Sequence, residues 1–531
     1  MKENNRTYIL PVQVELADLL SGLSEQYSVQ KGSVTVNTIN YLDTFDWRLY
    51  EQGLICLRQE NSACSVYVLT DFAGGLRIEA DGPGRKKLFP RDFIDSELGE
   101  KLSAVAGIRA LLSQAEIARQ SQSFQIVNRD QKIVLSGFLE LNQLLTPDED
   151  PTFLGGSLRM QGVRGYDKTL ARVTDLLQGR GVEAGDPEKR VLRHALAARG
   201  RKALDYCSQF SINLNPSETV AQVARQINLQ LLEAMERNIP GIIEDIDSEF
   251  LHDFRVALRR ARSLLGSMKK ILPAAHVDFC QQGLQEMGVL TSPVRDLDVY
   301  LLEKNVYHSM LPDGLQEGLS VFFKELAQKR VKELRRLKNA FQTSKFKQFL
   351  VGWRSYVEDS LIATALETGH EPCREVAVKA IRKRLQRILK EGSLIDPQSP
   401  DDALHRLRIQ AKKLRYLLEF YRSLFPETEM ESLLKSLKKL QNNLGSFNDL
   451  SVQQAMLAKY QNGLLGGEQK KALQVAAALG GLITRLHEEQ ASVRQKFEQT
   501  FQHFISAENR KLFELLFSKQ VLKNNFKDAE A

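Results

Sequence analysis

Apolar residues recur along this chain with two different periods. From Arg6 to about Leu144 they come in short runs, SVTVNTINYL, GLICLRQ, CSVYVLTDF, GLRIEAD and KIVLSGFLEL, rich in β-branched residues and separated by turn residues. That pattern predicts strands. Helical spacing interrupts it at residues 95–114 and again at 166–180. The stretch 146–157, TPDEDPTFLGGS, reads as a loop, and 179–190 as the end of a first domain of mixed α and β structure. After a connection at 201–215 the period becomes helical and stays so. Helices are predicted at 217–238, capped by Ser217, at 250–271, at 277–304 with a break near Pro293, and at 315–342, 344–368, 373–391, 402–424, 429–460 and 468–519. Long helices joined by short loops imply antiparallel neighbours, hence helical bundles.

One helical segment occurs twice. LHDFRVALRRARSLLGSMKK, from Leu251, returns as LHRLRIQAKKLRYLLEFYRS, from Leu404, at a constant offset of 153 residues. His252 matches His405, Arg255 matches Arg408, Arg259 matches Lys412, Arg260 matches Lys413 and Arg262 matches Arg415. Downstream, Asp296, Leu297 and Val299 match Asp449, Leu450 and Val452 in the same register, so the helical half is read as a duplicated unit. At about 100° per residue, His252, Arg255, Arg259 and Arg262 fall within an arc of roughly 80°. Phe254, Ala257, Leu258, Ala261, Leu264, Leu265 and Met268 occupy the opposite face, which predicts the core contact. His405, Arg408, Lys412 and Arg415 repeat the stripe, and Leu407, Ala411, Leu414, Leu417, Leu418 and Tyr421 repeat the apolar face. Arg260 and Lys413 lie at the flank.

Composition locates the charge without explaining it. With 43% hydrophobic and 26% charged residues over 531 positions, the chain has the make-up of a globular protein of two or more domains. The net charge of +7 is uneven: residues 1–200 hold 24 Lys and Arg against 26 Asp and Glu, and residues 201–531 hold 49 against 40. Five scattered cysteines without CxxC spacing argue against a zinc site or a disulfide scaffold. No run of about 18 apolar residues occurs, and the start has no signal-peptide pattern, so a soluble cytoplasmic protein is expected. A basic face on a single helix is ordinarily just solvated. Two copies that keep their cations in register, without i+4 glutamates on the stripe, point instead to a polyanion that offsets the mutual repulsion. The histidines either orient the stripe, through a carboxylate such as Asp296 or Asp449, or donate to phosphate directly.

The first half carries a resemblance. YLDTFDWRLYEQGLICLRQE, residues 41–60, resembles a segment of CYTH domains, the triphosphate tunnel metalloenzymes. LRIEAD around Arg77 and Glu79, FLELNQLL around Glu140, and VRGYDKTL around Arg164 and Lys168 follow in the family's order. The resemblance implies an antiparallel β tunnel. It also implies an N-terminal Glu-x-Glu-x-Lys strand that binds a divalent metal, but the best register here gives Glu3, Asn5 and Thr7, and Asn142 stands where a second acid would follow Glu140. Metal-dependent catalysis needs several carboxylate oxygens, so the tunnel is expected to be degenerate.

The repeated HxxRVxxRRxR and HxxRxxxKKLR segments, each followed by a DL motif, resemble the CHAD domain, the conserved histidine α-helical domain. That family's fold is two four-helix bundles related by pseudo-two-fold symmetry, and its ligand is inorganic polyphosphate. The expectation is therefore multidomain: a degenerate CYTH-like domain over 1–200, and an all-α CHAD domain over 215–520 with repeats at about 217–342 and 373–519. The resemblance implies polyphosphate binding by His252, Arg255, Arg259, Arg260, Arg262, His405, Arg408, Lys412, Lys413 and Arg415. It implies no catalytic residue, no metal and no cofactor, and association with polyphosphate granules if that ligand is correct. The clusters at Lys332, Arg335 and Arg336, at Lys379, Arg382, Lys383 and Arg387, and at Lys435, Lys438 and Lys439 read as solvated faces. Two alternatives stay open. The first domain retains triphosphatase or polyphosphatase activity with Mg²⁺ or Mn²⁺, or the helical part binds nucleic acid, which ranks lower because no aromatics are interleaved along the stripe to stack bases.

Overall fold

The computed structural model describes residues 5–11, 16–60, 65–72, 75–85, 87–144, 152–463 and 469–518. Its internal packing divides the chain into two units, Met1–Ser208 and Gln209–Ala531.

The first unit is built on nine strands: β1 (Asn5–Leu10), β2 (Ser28–Asp43), β3 (Leu54–Glu60), β4 (Ser65–Asp71), β5 (Arg77–Gly82), β6 (Leu112–Val127), β7 (Ile133–Leu144), β8 (Thr152–Gly162) and β9 (Glu183–Ala184). They form one antiparallel sheet in the order β5-β4-β3-β2-β6-β7-β8-β1-β9. Five helices accompany it: α1 (Leu16–Ser24), α2 (Arg48–Glu51), α3 (Glu97–Ala106), α4 (Asp167–Gln178) and α5 (Pro187–Ala197). The sheet curls, because Thr7, Asn37, Gln59, Thr70, Glu79, Arg119, Glu140 and Arg159, one from each of β1 to β8, line a single cavity of about 670 Å³. The antiparallel tunnel expected from the resemblance is thus the architecture observed.

Three local expectations for this unit are corrected. The helix predicted to run to Gln114 stops at Ala106, where Gly107 takes φ 61°, and β6 begins at Leu112. β6 went unrecognised because its inward positions include Arg119 and Ser121, which interrupt the apolar alternation. The predicted loop at 146–157 contains the start of β8. Its glycines serve the sheet: Gly155 takes φ 125° at a register shift opposite Asn142, and a Cβ at Gly156 would lie 2.9 Å from Leu10. Finally, 179–190 does not end the unit, because Asp186 caps α5 by accepting from Lys189 N, and that helix carries Glu188 into the cavity.

The second unit is helical. Its helices are α6 (Val220–Ile243), α7 (Ser248–Ser267), α8 (Ala274–Leu302), α9 (Lys304–Ser309), α10 (Asp313–Gln342), α11 (Ser344–Ser355), α12 (Cys373–Gly392), α13 (Asp401–Phe420), α14 (Glu427–Asn462), α15 (Gln469–Gln495), α16 (Phe497–Phe504) and α17 (Ala507–Phe517). The starts of α6, α7 and α8 recur 153 residues later as the starts of α12, α13 and α14. Two four-helix bundles result, α6, α7, α8 and α10 in one and α12, α13, α14 and α15 in the other. They meet with pseudo-two-fold symmetry. Val220 N donates to Glu371 O at 3.1 Å while Cys373 N, its repeat equivalent, donates to Glu218 O at 2.9 Å. One buried cluster joins the bundles, with Leu297, Leu319, Phe322 and Leu326 against Leu450, Leu457, Leu479 and Leu482.

Helix ends differ from the sequence reading where side chains intervene. Thr219, not Ser217, caps α6, through a capping box with Gln222. Pro293 does not break α8, and the carbonyl of Gly288 one turn earlier receives the Ser292 hydroxyl and Arg255 Nη1. The segment 344–368 is helical only to Ser355 and continues as a π turn at Tyr356–Ser360, where the tyrosine ring stacks on His276. The predicted helix at 468–519 is three helices, because Phe497, Phe501 and Phe504 turn a new apolar face inward and Ser506 caps α17.

Candidate functional site

Helices α7 and α13 bury the faces that their apolar spacing predicts: all seven residues from Phe254 to Met268 and all six from Leu407 to Tyr421 are buried. Burying one face of each helix fixes where the opposite, basic face must point. The two faces converge. A cavity of about 460 Å³ is lined by Arg259 and Arg262 from α7, by Lys412 and Lys413 from α13, and by Arg384 from α12, with Ser263, Gly266, Ser267, Ile409, Tyr416 and Leu417. A smaller space of about 340 Å³ lies between α7 and α8, and Arg255, Arg259 and Arg262 line it with Gly288 and Ser292.

Among the described residues, Arg259, Arg262, Lys412 and Lys413 have no carboxylate within ion-pairing distance. Their electrostatics follow from that. Burial, then the charges of Arg408 and Arg259, push the Lys412 ammonium down to about 8. Arg259 acts from the other repeat, so the two stripes feel each other. Lys413 is lowered by burial and then by Arg384 and Arg387, and Arg384 by burial and then by Arg387. Arg255 is lowered to about 10 by burial and then by Arg259, with Asp296 opposing. Its Nη1 donates to Thr291 Oγ1 at 2.7 Å and Ser292 Oγ at 3.0 Å, so neutral groups of α8 hold it in place.

The other candidates are held by the protein itself. Arg260 donates to Glu419 through Nε at 3.2 Å and Nη2 at 2.9 Å, and Arg415 Nε donates to the other oxygen of Glu419 at 2.6 Å. One carboxylate therefore ties α7 to α13, and as the i+4 partner of Arg415 it corrects the expectation that the stripe carries no such glutamate. Arg408 Nη2 lies 3.0 Å from Asp449, and His405 Nδ1 lies 2.5 Å from Asn448 Oδ1. The histidine's neighbour is thus the amide beside the expected aspartate, while the aspartate takes the arginine. Neither His252 nor His405 lines either space. Asp298, in the first DL motif, serves packing, since it and Asp245 both bind Arg330 of α10.

Sequence reasoning missed Arg384. It stands 153 residues after Leu231, so the register argument that found the other cations had nothing to match. Its neighbours behave as solvated charges: Lys379 pairs with Glu371 and Glu375, and Arg387 with Glu391.

The tunnel of the first unit is a different environment. Arg119, buried on β6, donates to Glu188 at 2.9 and 2.7 Å, to Asn142 Oδ1 at 2.7 Å and to Tyr41 Oη at 3.2 Å. Glu140 accepts from Ser157 Oγ at 2.7 Å and is ion-paired with Arg159. Burial pushes the Glu188 carboxyl up, but Arg119's charge and hydrogen bonds outweigh it and hold that group at about 2. These residues do not fit the divalent metal that the tunnel resemblance implies, because guanidinium groups already take the carboxylate oxygens a metal would need. Among the described residues no three His, Cys, Asp or Glu side chains are grouped to hold a metal ion. Glu3 and Lys86 lie outside the described residues.

Comparison with known proteins gives the helical unit a family. Residues 226–458 match the family model of the CHAD domain and form such a domain. Two uncharacterized proteins of Mycobacterium tuberculosis are 24% identical over 215 residues, which is 38% of this chain and 38% of each relative, so the match spans little more than a third of their length. Among solved structures, the CHAD domain of Ricinus communis aligns with 55% of this chain and 96% of its own at 22% identity and TM-score 0.46. A putative adenylate cyclase of Bacillus halodurans aligns with 34% of this chain and 91% of its own at 14% identity and TM-score 0.25. No described helix is long and apolar enough to cross a membrane.

Proposed function

We propose that the CHAD domain at residues 226–458 makes this chain a non-catalytic binder of inorganic polyphosphate, held in the cavity that α7, α12 and α13 share. The observation that carries the reading is the cavity's charge. Five cations line it, none of them with a carboxylate within ion-pairing distance among the described residues, and Lys412 is lowered to about 8 by burial and by like charges. A linear polyanion relieves that repulsion all along its length, and guanidinium forks bind phosphate oxygens with about 1.5–3 kcal/mol per charge-assisted hydrogen bond. Nucleic acid fits less well, because the cations face a cavity between helices and Tyr416 is its single aromatic wall. The ten residues singled out from the sequence divide on this reading. Arg255, Arg259, Arg262, Lys412 and Lys413, joined by Arg384, contact the ligand. Arg260, Arg408, Arg415 and the two histidines set the helices that carry them.

Titration of long-chain polyphosphate against the full chain tests this. Affinity is expected to fall as salt rises, with a log–log slope of about −0.7 per phosphate contact, so roughly −4 for six cations. The triple variant Arg259→Ala, Arg384→Ala, Lys412→Ala should lose at least about a hundredfold in affinity with unchanged helical circular dichroism. Unchanged affinity in that folded variant would remove the cavity from the reading. Tighter binding of RNA or DNA at matched phosphate concentration would favour the nucleic-acid alternative. Release of phosphate with Mg²⁺ or Mn²⁺ would restore the enzymatic one.

A further inference from the structure

The two repeats share a backbone but differ in what fills the cleft beside the basic helix. In the second repeat, Gln441 of α14 lies in that cleft. Its amide donates to the Ala411 carbonyl at 2.7 Å, and its oxygen accepts from Arg415 Nη1 at 3.3 Å. Glu419 takes Arg415 Nε from the next turn of α13. The residues 153 positions before Gln441 and Glu419 are Gly288 and Gly266. With no side chain at Gly288, the equivalent cleft of the first repeat stays open, and Arg255, Arg259 and Arg262 form its wall.

Packing does not demand either glycine. A Cβ at Gly266 would meet nothing within 4 Å, and one at Gly288 would meet only Arg262 Nη1, at 3.4 Å. Glycine is the poorest former of a helix interior after proline, so two of them at positions with room to spare call for another reason. What they have in common is the space they leave beside unpaired cations: Gly266 lines the shared cavity and Gly288 the cleft.

We propose that anion binding is one-sided: the first repeat keeps its α7/α8 cleft open as a second phosphate subsite continuous with the shared cavity, whereas in the second repeat Gln441 fills the counterpart and Glu419 holds Arg415. Arg259 and Arg262 line both spaces, so a linear polyanion runs along them from the cavity into the cleft and ends on Arg255 and the Ser292 hydroxyl. The second repeat offers no such path, since Arg415 is bonded to Glu419 and Gln441, and Arg408 to Asp449. This inference rests on the polyphosphate reading and adds to it a direction and an extra subsite.

The decisive variant transplants the plug. Gly288→Gln places in the first repeat the neutral side chain that closes the second, with Arg262 and the Leu258 carbonyl as the equivalents of its partners there. It is expected to weaken polyphosphate binding about tenfold, the loss of roughly one charge-assisted contact, with no change in circular dichroism. The reverse variant, Gln441→Gly, removes the plug while Glu419 keeps both Arg260 and Arg415, and is expected to strengthen binding rather than weaken it. A wild-type chain that binds polyphosphate, together with a Gly288→Gln chain that binds it equally well, overturns the one-sided path and leaves the shared cavity standing. A wild-type chain that does not bind polyphosphate at all overturns the underlying reading instead.

Discussion

Lys412 is one residue at which the two halves of the helical unit meet electrostatically, because burial and arginines from both repeats act on its ammonium. Its value of about 8, against an ordinary 10.5, has two consequences of opposite sign. Between about 8 and 10.5 the unfolded chain holds a proton there that the folded chain has released, so the stability of the ligand-free protein rises with pH across that window. Polyanion binding needs the charged form, so affinity falls as pH rises through about 8. Binding at pH 8.5 should therefore take up a fraction of a proton, seen in calorimetry as a heat that varies with the ionisation enthalpy of the buffer. Lys412→Arg keeps its charge and should flatten affinity between pH 7 and 9, whereas a wild-type profile already flat over that range would remove Lys412 from the site. This property was legible in the sequence only in part. Spacing put the lysine on the stripe, but the charges that depress it come from helices 153 residues apart, and only the fold brings them together.

At the scale of elements, the joint between α7 and α13 depends on a carboxylate that the stripe pattern did not contain. Glu419 lies on α13, and it takes one basic residue from each repeat. Spacing alone makes Arg260 a flank cation available to a ligand, and its guanidinium instead lies with Glu419 in a nearly buried pair, over the Phe210 ring. Arg260→Met should destabilise the helical unit by about 1–3 kcal/mol, less than the 3–5 kcal/mol typical of breaking a buried pair, because Arg415 still partners the carboxylate. Urea unfolding followed by far-ultraviolet circular dichroism would measure it, and the same variant should retain most of its polyphosphate affinity. A large loss of affinity without loss of stability would return Arg260 to the binding surface. The elements themselves were readable where periodicity was strong: α7, α13 and both of their core faces follow from spacing alone. β6 and β8 were not, since buried ion pairs and bulge glycines replace the apolar alternation that marks a strand.

At the scale of the whole chain, the two units use charge in opposite ways. Of the four arginines lining the tunnel among the described residues, Arg77, Arg119 and Arg159 are paired with Glu79, Glu188 and Glu140, while the helical cavity leaves its cations for something else to neutralise. A ligand added from solution should therefore act on one unit only. Hydrogen exchange read by segment checks this, with polyphosphate at about a hundred times its dissociation constant, where linkage allows about 2.7 kcal/mol of added stability. Protection should rise in α7, α8, α12 and α13 and remain unchanged in β2, β6 and β7. Arg119→Met should do the converse, loosening β6 and β7 by roughly 3–5 kcal/mol as buried carboxylates lose their partner. Acid sharpens the contrast. The stability that Glu188 contributes is fully present above about 4.5 and is lost as pH falls towards about 2, so in the wild type these strands should lose protection across that interval. In the Arg119→Met chain, with the ion pair already gone, that particular dependence should be absent. Polyphosphate-induced protection centred on the strands would place the ligand in the tunnel, and with it the main activity of the chain.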